Sequence, residues 1–97
     1  MGAKVSVKNN TPYSWYFARG GGEYNYIGPG GAAYYEEGRA IHCYIHFRYG
    51  NHSWDSFVYE FNTHKGDTTF TLSETPDRSQ IQLYCTSEGI SQYCPNH

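Results

Sequence analysis

The chain is predicted to fold as an all-β protein: one small antiparallel β-sandwich, or partly open barrel, of about eight short strands spanning residues 1–97. Three observations lead there. Apolar and polar residues alternate with a period of two in segment after segment, the signature of strands with one buried face. No segment carries apolar residues at helical spacing. Clusters of Gly, Pro and Asn interrupt the alternation at roughly ten-residue intervals, as sandwiches and barrels require. Composition agrees, because aromatic residues make up 19% of the chain and eleven of them are Tyr, a residue that suits a pleated surface.

Residues 4–9 alternate with Val5 and Val7 inward and stop at Asn9-Asn10-Thr11-Pro12, where proline cannot donate to a ladder. Residues 14–19 form a second strand with Trp15 and Phe17 on one face, broken by Gly20-Gly21-Gly22. Residues 23–27 form a third, with Tyr24 and Tyr26 sharing a face. Gly28-Pro29-Gly30-Gly31 is a turn supplied with glycine where positive φ is needed. Residues 32–36 carry Tyr34 and Tyr35. Residues 68–73 and 79–86 close the chain, with Phe70, Leu72, Ile81 and Leu83 inward.

A central hairpin over residues 40–61 organises the rest. Ile41, Cys43, Ile45, Phe47 and Tyr49 alternate with His42, Tyr44, His46 and Arg48, and Phe57, Tyr59 and Phe61 repeat the pattern after a turn. A two-residue turn would bury Glu60 without a partner, at a cost of several kcal/mol, against roughly one for turn preference. A three-residue loop over 50–52, pairing Tyr49 with Ser53, is therefore expected. It sets His42 opposite Glu60, Tyr44 opposite Val58, His46 opposite Ser56 and Arg48 opposite Trp54. The predicted core is Ile41, Cys43, Ile45, Phe47, Phe57, Tyr59, Phe61, Phe70, Leu72, Ile81 and Leu83.

Net charge is -2 and the seven Lys and Arg are scattered, so no basic patch for nucleic acid is present and none is expected as a partner. No apolar run reaches transmembrane length, and Met1-Gly2-Ala3-Lys4 leads directly into a strand instead of a signal peptide. A secreted or extracellular setting is nonetheless favoured. Cys85 and Cys94 are close enough in sequence for a disulfide in an oxidising compartment, with three buried or tail thiols as the alternative; Cys43 reads as a small buried hydrophobe. The triplets Asn9-Asn10-Thr11 and Asn51-His52-Ser53 match the N-glycosylation pattern.

The glycine clusters open no helix and precede no Lys-Ser/Thr, so they are turns, not phosphate loops. His42 and His46 share a face but stand about 13 Å apart, too far to ligate one ion, and no metal or other cofactor is expected. His42, His46, Arg48 and Glu60 on one sheet face resemble the constellation of a small metal-independent ribonuclease, with imidazole and carboxylate exchanging a proton and guanidinium holding phosphate. The same residues also read as ordinary cross-strand pairs on a wet face.

A domain of this size buries about half of its eighteen aromatic rings. Trp15, Tyr24, Tyr26, Tyr34, Tyr35 and Trp54 are the candidates for a ligand-facing set, with low surrounding charge, a combination suited to stacking on sugar rings or entering a lipid headgroup layer.

The run Val5-Ser6-Val7-Lys8-Asn9-Asn10-Thr11, then Trp15, then Ile27-Gly28-Pro29-Gly30-Gly31-Ala32-Ala33-Tyr34-Tyr35 resembles the opening of small membrane-active β-sandwiches, the aegerolysins and actinoporin-like proteins. It covers about the first 36 residues. The chain lacks the N-terminal amphipathic helix that actinoporin-like proteins use to perforate membranes, so the resemblance implies headgroup or glycan recognition of a toxin or defence type without pore formation. The expectation is a non-catalytic, lectin-like binding module for a glycan or membrane lipid headgroup. A ribonuclease, a protein-binding or inhibitory domain, and self-association are the alternatives.

Overall fold

A computed structural model describes residues 3–38 and 42–96. Its nine strands are β1 (Ala3–Asn10), β2 (Trp15–Arg19), β3 (Asn25–Ile27), β4 (Ala32–Glu37), β5 (His42–Tyr49), β6 (Phe57–Asn62), β7 (Thr68–Glu74), β8 (Gln80–Cys85) and β9 (Ile90–Pro95). They form two sheets, ordered β4-β1-β7-β8-β9 and β3-β2-β5-β6. The all-β sandwich is as predicted. One pairing departs from antiparallel: β1 runs parallel to β7, with Val5 opposite Thr68 and Val7 opposite Phe70. A parallel pair needs a long crossover, and here the whole four-stranded sheet lies between the two strands in sequence.

The core lies between the sheets. Cys43, Ile45, Phe47, Phe57, Tyr59, Phe61, Phe70, Leu72, Ile81 and Leu83 are all buried in it, joined by Val5, Val7, Phe17 and Ile27; Ile41 lies outside the described residues. Phe70 is the aromatic hub, with Tyr59 and Phe61 each 5.2 Å away, edge to face. Trp15 is completely buried, stacked on Tyr49 at 4.1 Å, which removes it from any ligand-facing set. The alternation that pairs it with Phe17 on β2 is the better guide than the excess of aromatics. Tyr35 is half-buried and packs against the core.

The central hairpin keeps the expected inward face but slips by two residues, so that Cys43 meets Phe61, Ile45 meets Tyr59 and Tyr44, not His42, stands opposite Glu60. His46 faces Val58. A slip of two preserves which side chains are buried, so alternation is blind to it. The extra residues lengthen the connection to 50–56, which the Gly50 amide anchors to the Ser14 carbonyl (3.0 Å) and the Ser56 amide to the Phe47 carbonyl (2.8 Å). A Cβ at Gly50 would sit 3.2 Å from the Ser14 carbonyl oxygen, so this close approach favours glycine.

β9 was not foreseen. It pairs Ile81 with Cys94 and Cys85 with Ile90, placing the two cysteines at opposite ends of one hairpin. Four residues along β8 amount to about 13 Å, well beyond disulfide reach. Cys85 and Cys94 are accordingly buried thiols, not a disulfide. Burial pushes the Cys94 thiol up to about 11, against a hydrogen bond to the Ile81 backbone that lowers it. Between β6 and β7 the expected turn contains a short 3-10 helix, Thr63–Lys65, whose His64 amide is capped by the Asn62 side chain.

Buried Asn9 fixes one end of the sandwich. Its side-chain amide donates to the carbonyls of Tyr13 (2.8 Å), Ile27 (3.1 Å) and Gly28 (2.9 Å), and its oxygen accepts from the Thr11 amide and hydroxyl. One side chain thus ties the start of β2 to the β3–β4 turn. It also leaves Asn9 no room to carry a glycan, whereas Asn51 is exposed.

Candidate binding face on the four-stranded sheet

Alternation along β5 directs His42, Tyr44, His46 and Arg48 away from the core. Pairing places Tyr16 beside both Arg48 and Tyr26, and Ala18 beside His46. The outer face of the four-stranded sheet therefore gathers Tyr24, Tyr26, His46 and Arg48 at one end and His42 with Glu60 at the other.

Asp55, which alternation alone does not single out, joins the first group. The β5–β6 connection folds its carboxylate back onto the face, 2.9 Å from His46 Nδ1 and 3.3 Å from an Arg48 guanidinium nitrogen. The Tyr24 hydroxyl donates to it at 2.6 Å. Arg48 lies over the Tyr24 ring at 4.1 Å and donates to the Tyr24 oxygen at 3.1 Å. Burial acts to raise the Asp55 pKa, but the hydrogen bonds from Tyr24 and His46 and the charges of His46 and Arg48 outweigh it and hold the carboxyl below its ordinary range. An ionised carboxylate only accepts, so His46 Nδ1 carries the proton in that contact. The Asp55 hydrogen bond is the chief reason the Tyr24 phenol is held above its usual value. The signal for Asp55 was present in outline: a single acid after the turn, facing two alternating basic side chains. It was hidden by the register.

Beside this network lies an open groove of about 440 Å³, walled by Tyr13, Ser14, Tyr16, Tyr26, Tyr49 and Asn51. Tyr16 and Tyr26 meet edge to face at 5.6 Å, as do Tyr13 and Tyr49 at 5.9 Å. The Tyr26 and Ser14 hydroxyls are 3.0 Å apart, while Tyr13 donates to Glu74 and Tyr49 to Asn96. Asn9 holds both walls, through Tyr13 on one side and Ile27 on the other. Such a site offers flat rings with hydroxyl and amide groups at their margins, and no net charge.

The predicted residues thus separate. Tyr24 and Tyr26 stand exposed on this face, and Trp54 stands beside it, 58% exposed and stacked on His52 at 3.9 Å. Tyr34 is exposed on the other sheet, under Lys4 Nζ at 4.6 Å. The His/Glu/Arg quartet is split: His42 pairs with Glu60 at 3.2 Å, both largely exposed, whereas His46 and Arg48 belong to Asp55. Among the described residues no three His, Cys, Asp or Glu side chains gather to hold a metal ion, and no helix is long and apolar enough to cross a membrane.

In comparisons with protein-family models, curated proteins and solved structures, no match to this chain was found. Nothing in them bears on the resemblance of its opening segment.

Proposed function

We propose that this protein is a non-catalytic glycan-binding module whose site is the tyrosine groove beside Tyr26. The observation that carries the reading is the groove itself: four tyrosines with Ser14 and Asn51 around one open space of about 440 Å³. A sugar ring presents an apolar C–H face and a rim of hydroxyls, and a ring-lined groove edged with hydroxyls and an amide matches both. Neighbouring Arg48 supports it differently. Its guanidinium is engaged with Asp55 and Tyr24, so it stands as an ordered cross-strand neighbour of Tyr16, a wall of the groove, instead of waiting for a phosphate. That pre-ordering lowers the entropic cost of binding.

Ring stacking contributes about 1 kcal/mol per aromatic, so the module binds weakly at one site and gains from repeated ligands. The test is a glycan array run beside a vesicle-pelleting panel. Glycan binding that falls about tenfold in Tyr26→Ala is the expected result, a change equivalent to roughly 1.4 kcal/mol. Binding to vesicles alone would transfer the site to a lipid headgroup, and silence on both would point to a protein partner.

A further inference from the structure

Tyr26 has a second groove on its far side. It runs along the open seam of the sandwich, between the edge strands β3 and β4, encloses about 520 Å³, and shares only Tyr26 with the first. Its walls include Arg19, Glu23, Asn25, Tyr34 and Tyr35.

Three features of this seam point to a ligand. The Tyr35 hydroxyl is buried and finds no hydrogen-bond partner among the described residues, although buried hydroxyls are almost always satisfied. Arg19 lies 5.4 Å over the Tyr35 ring, and neither it nor Glu23 takes part in an ion pair among the described residues. Asn25 uses its amide nitrogen on the Glu23 carbonyl, which leaves its side-chain oxygen to accept.

We infer that this seam is a second glycan subsite, for a neutral sugar unit, and that the protein takes an oligosaccharide lying across Tyr26 with units in both grooves. The inference rests on the function proposed above. The polar groups decide the chemistry. A guanidinium and a carboxylate on the same groove cancel, so an anionic unit meets Glu23 and a cationic one meets Arg19. A sugar hydroxyl donates and accepts at once, and it can satisfy both charged groups together with the Tyr35 hydroxyl. Exposed Tyr26 and Tyr34, 60% and 63% accessible, supply rings for the C–H faces.

The test is titration calorimetry with cellohexaose, mannohexaose and N-acetylchitohexaose, each beside its own monosaccharide and beside a galacturonic acid hexamer. At least one neutral hexamer is expected to bind more tightly than its monosaccharide. Tyr35→Phe should weaken that hexamer about five- to tenfold, the usual effect of one lost hydrogen bond, and leave the monosaccharide affinity unchanged. Because this variant removes a buried hydroxyl that has no partner, it should melt no lower than the parent, which separates lost binding from lost folding. Arg19→Gln should act in the same direction, and Tyr26→Ala should weaken hexamer and monosaccharide together. Hexamer affinity unchanged in both Tyr35→Phe and Arg19→Gln overturns the second subsite while leaving the first groove standing. A tenfold preference for the galacturonic acid hexamer overturns its neutral character. If none of the probes binds, the subsite and the function it rests on fall together.

Discussion

The two outer faces of the sandwich are built on the same strand alternation and yet differ in kind. On the four-stranded sheet, Tyr24, His46, Arg48 and Asp55 lock into a single network of short contacts. On the five-stranded sheet, Ser6, Thr69, Thr71 and Ser73 run along β1 and β7 beside Gln82, Tyr84, Ser91 and Tyr93 on β8 and β9. There, among the described residues, the outward side chains meet in a neutral hydrogen bond from Gln82 to Ser91 at 2.8 Å and in the Lys4 ammonium 4.6 Å over the Tyr34 ring. Exposed tyrosines occur on both faces, so aromatic content does not distinguish them. The difference is restraint: one face fixes Tyr24 in a charged network of several short contacts, and the other has one cation over Tyr34 and leaves Tyr84 and Tyr93 exposed.

The largest expected effect comes from breaking that network at its shared acceptor. Asp55→Ala takes the carboxylate from Tyr24, His46 and Arg48 at once and leaves a partly buried guanidinium without its counter-charge. A loss of about 1–3 kcal/mol is expected, read as a fall of roughly 5–15 °C in melting temperature, with glycan affinity reduced up to about tenfold as Arg48, the cross-strand neighbour of the groove's Tyr16, is released. Gln82→Ala, the equivalent cut on the opposite face, should stay within about 0.5 kcal/mol and leave binding unchanged. Equal effects from the two variants would erase the distinction between the faces.

Acid provides the next contrast. The ordinary value for the Asp55 carboxyl is 3.8, and its folded value is lower. A depressed folded pKa contributes stability that is complete above the unfolded value and is lost as the pH falls through the folded one. Binding and melting temperature should therefore hold steady above about pH 5 and decline together below about pH 4, with the decline in binding absent from Asp55→Asn, which begins low. Asp77, in the turn between β7 and β8, is also depressed, by hydrogen bonds from the Ser79 amide and from the Ser79 and Thr75 hydroxyls, but it is fully exposed. Asp77→Asn should leave the acid dependence of binding untouched.

How much of this was legible in the sequence depends on the range of each interaction. Alternation depends on neighbours two residues apart, so it marked the buried faces of β1, β5, β6, β7 and β8, and it grouped Trp15 with Phe17 without showing that their shared face is the inward one. Register, the parallel β1–β7 pair and the position of Asp55 depend on residues brought together by the whole fold. No local pattern reports them. β9 escaped for a related reason: it is an edge strand, and Ile90, although paired with inward Cys85, is 52% exposed, which blurs the alternation between its faces. The groove beside Tyr26 draws Tyr13 and Ser14, Tyr16, Tyr26, Tyr49 and Asn51 from four segments, so composition could report the excess of rings but not where they meet.

The smallest effect is expected at the far end of the charged face. His42 and Glu60 lie 3.2 Å apart with side chains 69% and 49% exposed, and an exposed pair of this kind is worth a few tenths of a kcal/mol. His42→Ala and Glu60→Ala should each shift stability within the error of a thermal melt. The same geometry bears on RNA cleavage. Six residues of β5 separate His42 from Arg48, about 20 Å at strand rise, so the imidazole–carboxylate pair and the guanidinium cannot grip one phosphodiester. Purified protein incubated with single-stranded RNA should leave it intact, and the two alanine variants should behave identically. Cleavage that disappears in His42→Ala would overturn the view of this end as an ordinary wet surface and make the face catalytic after all.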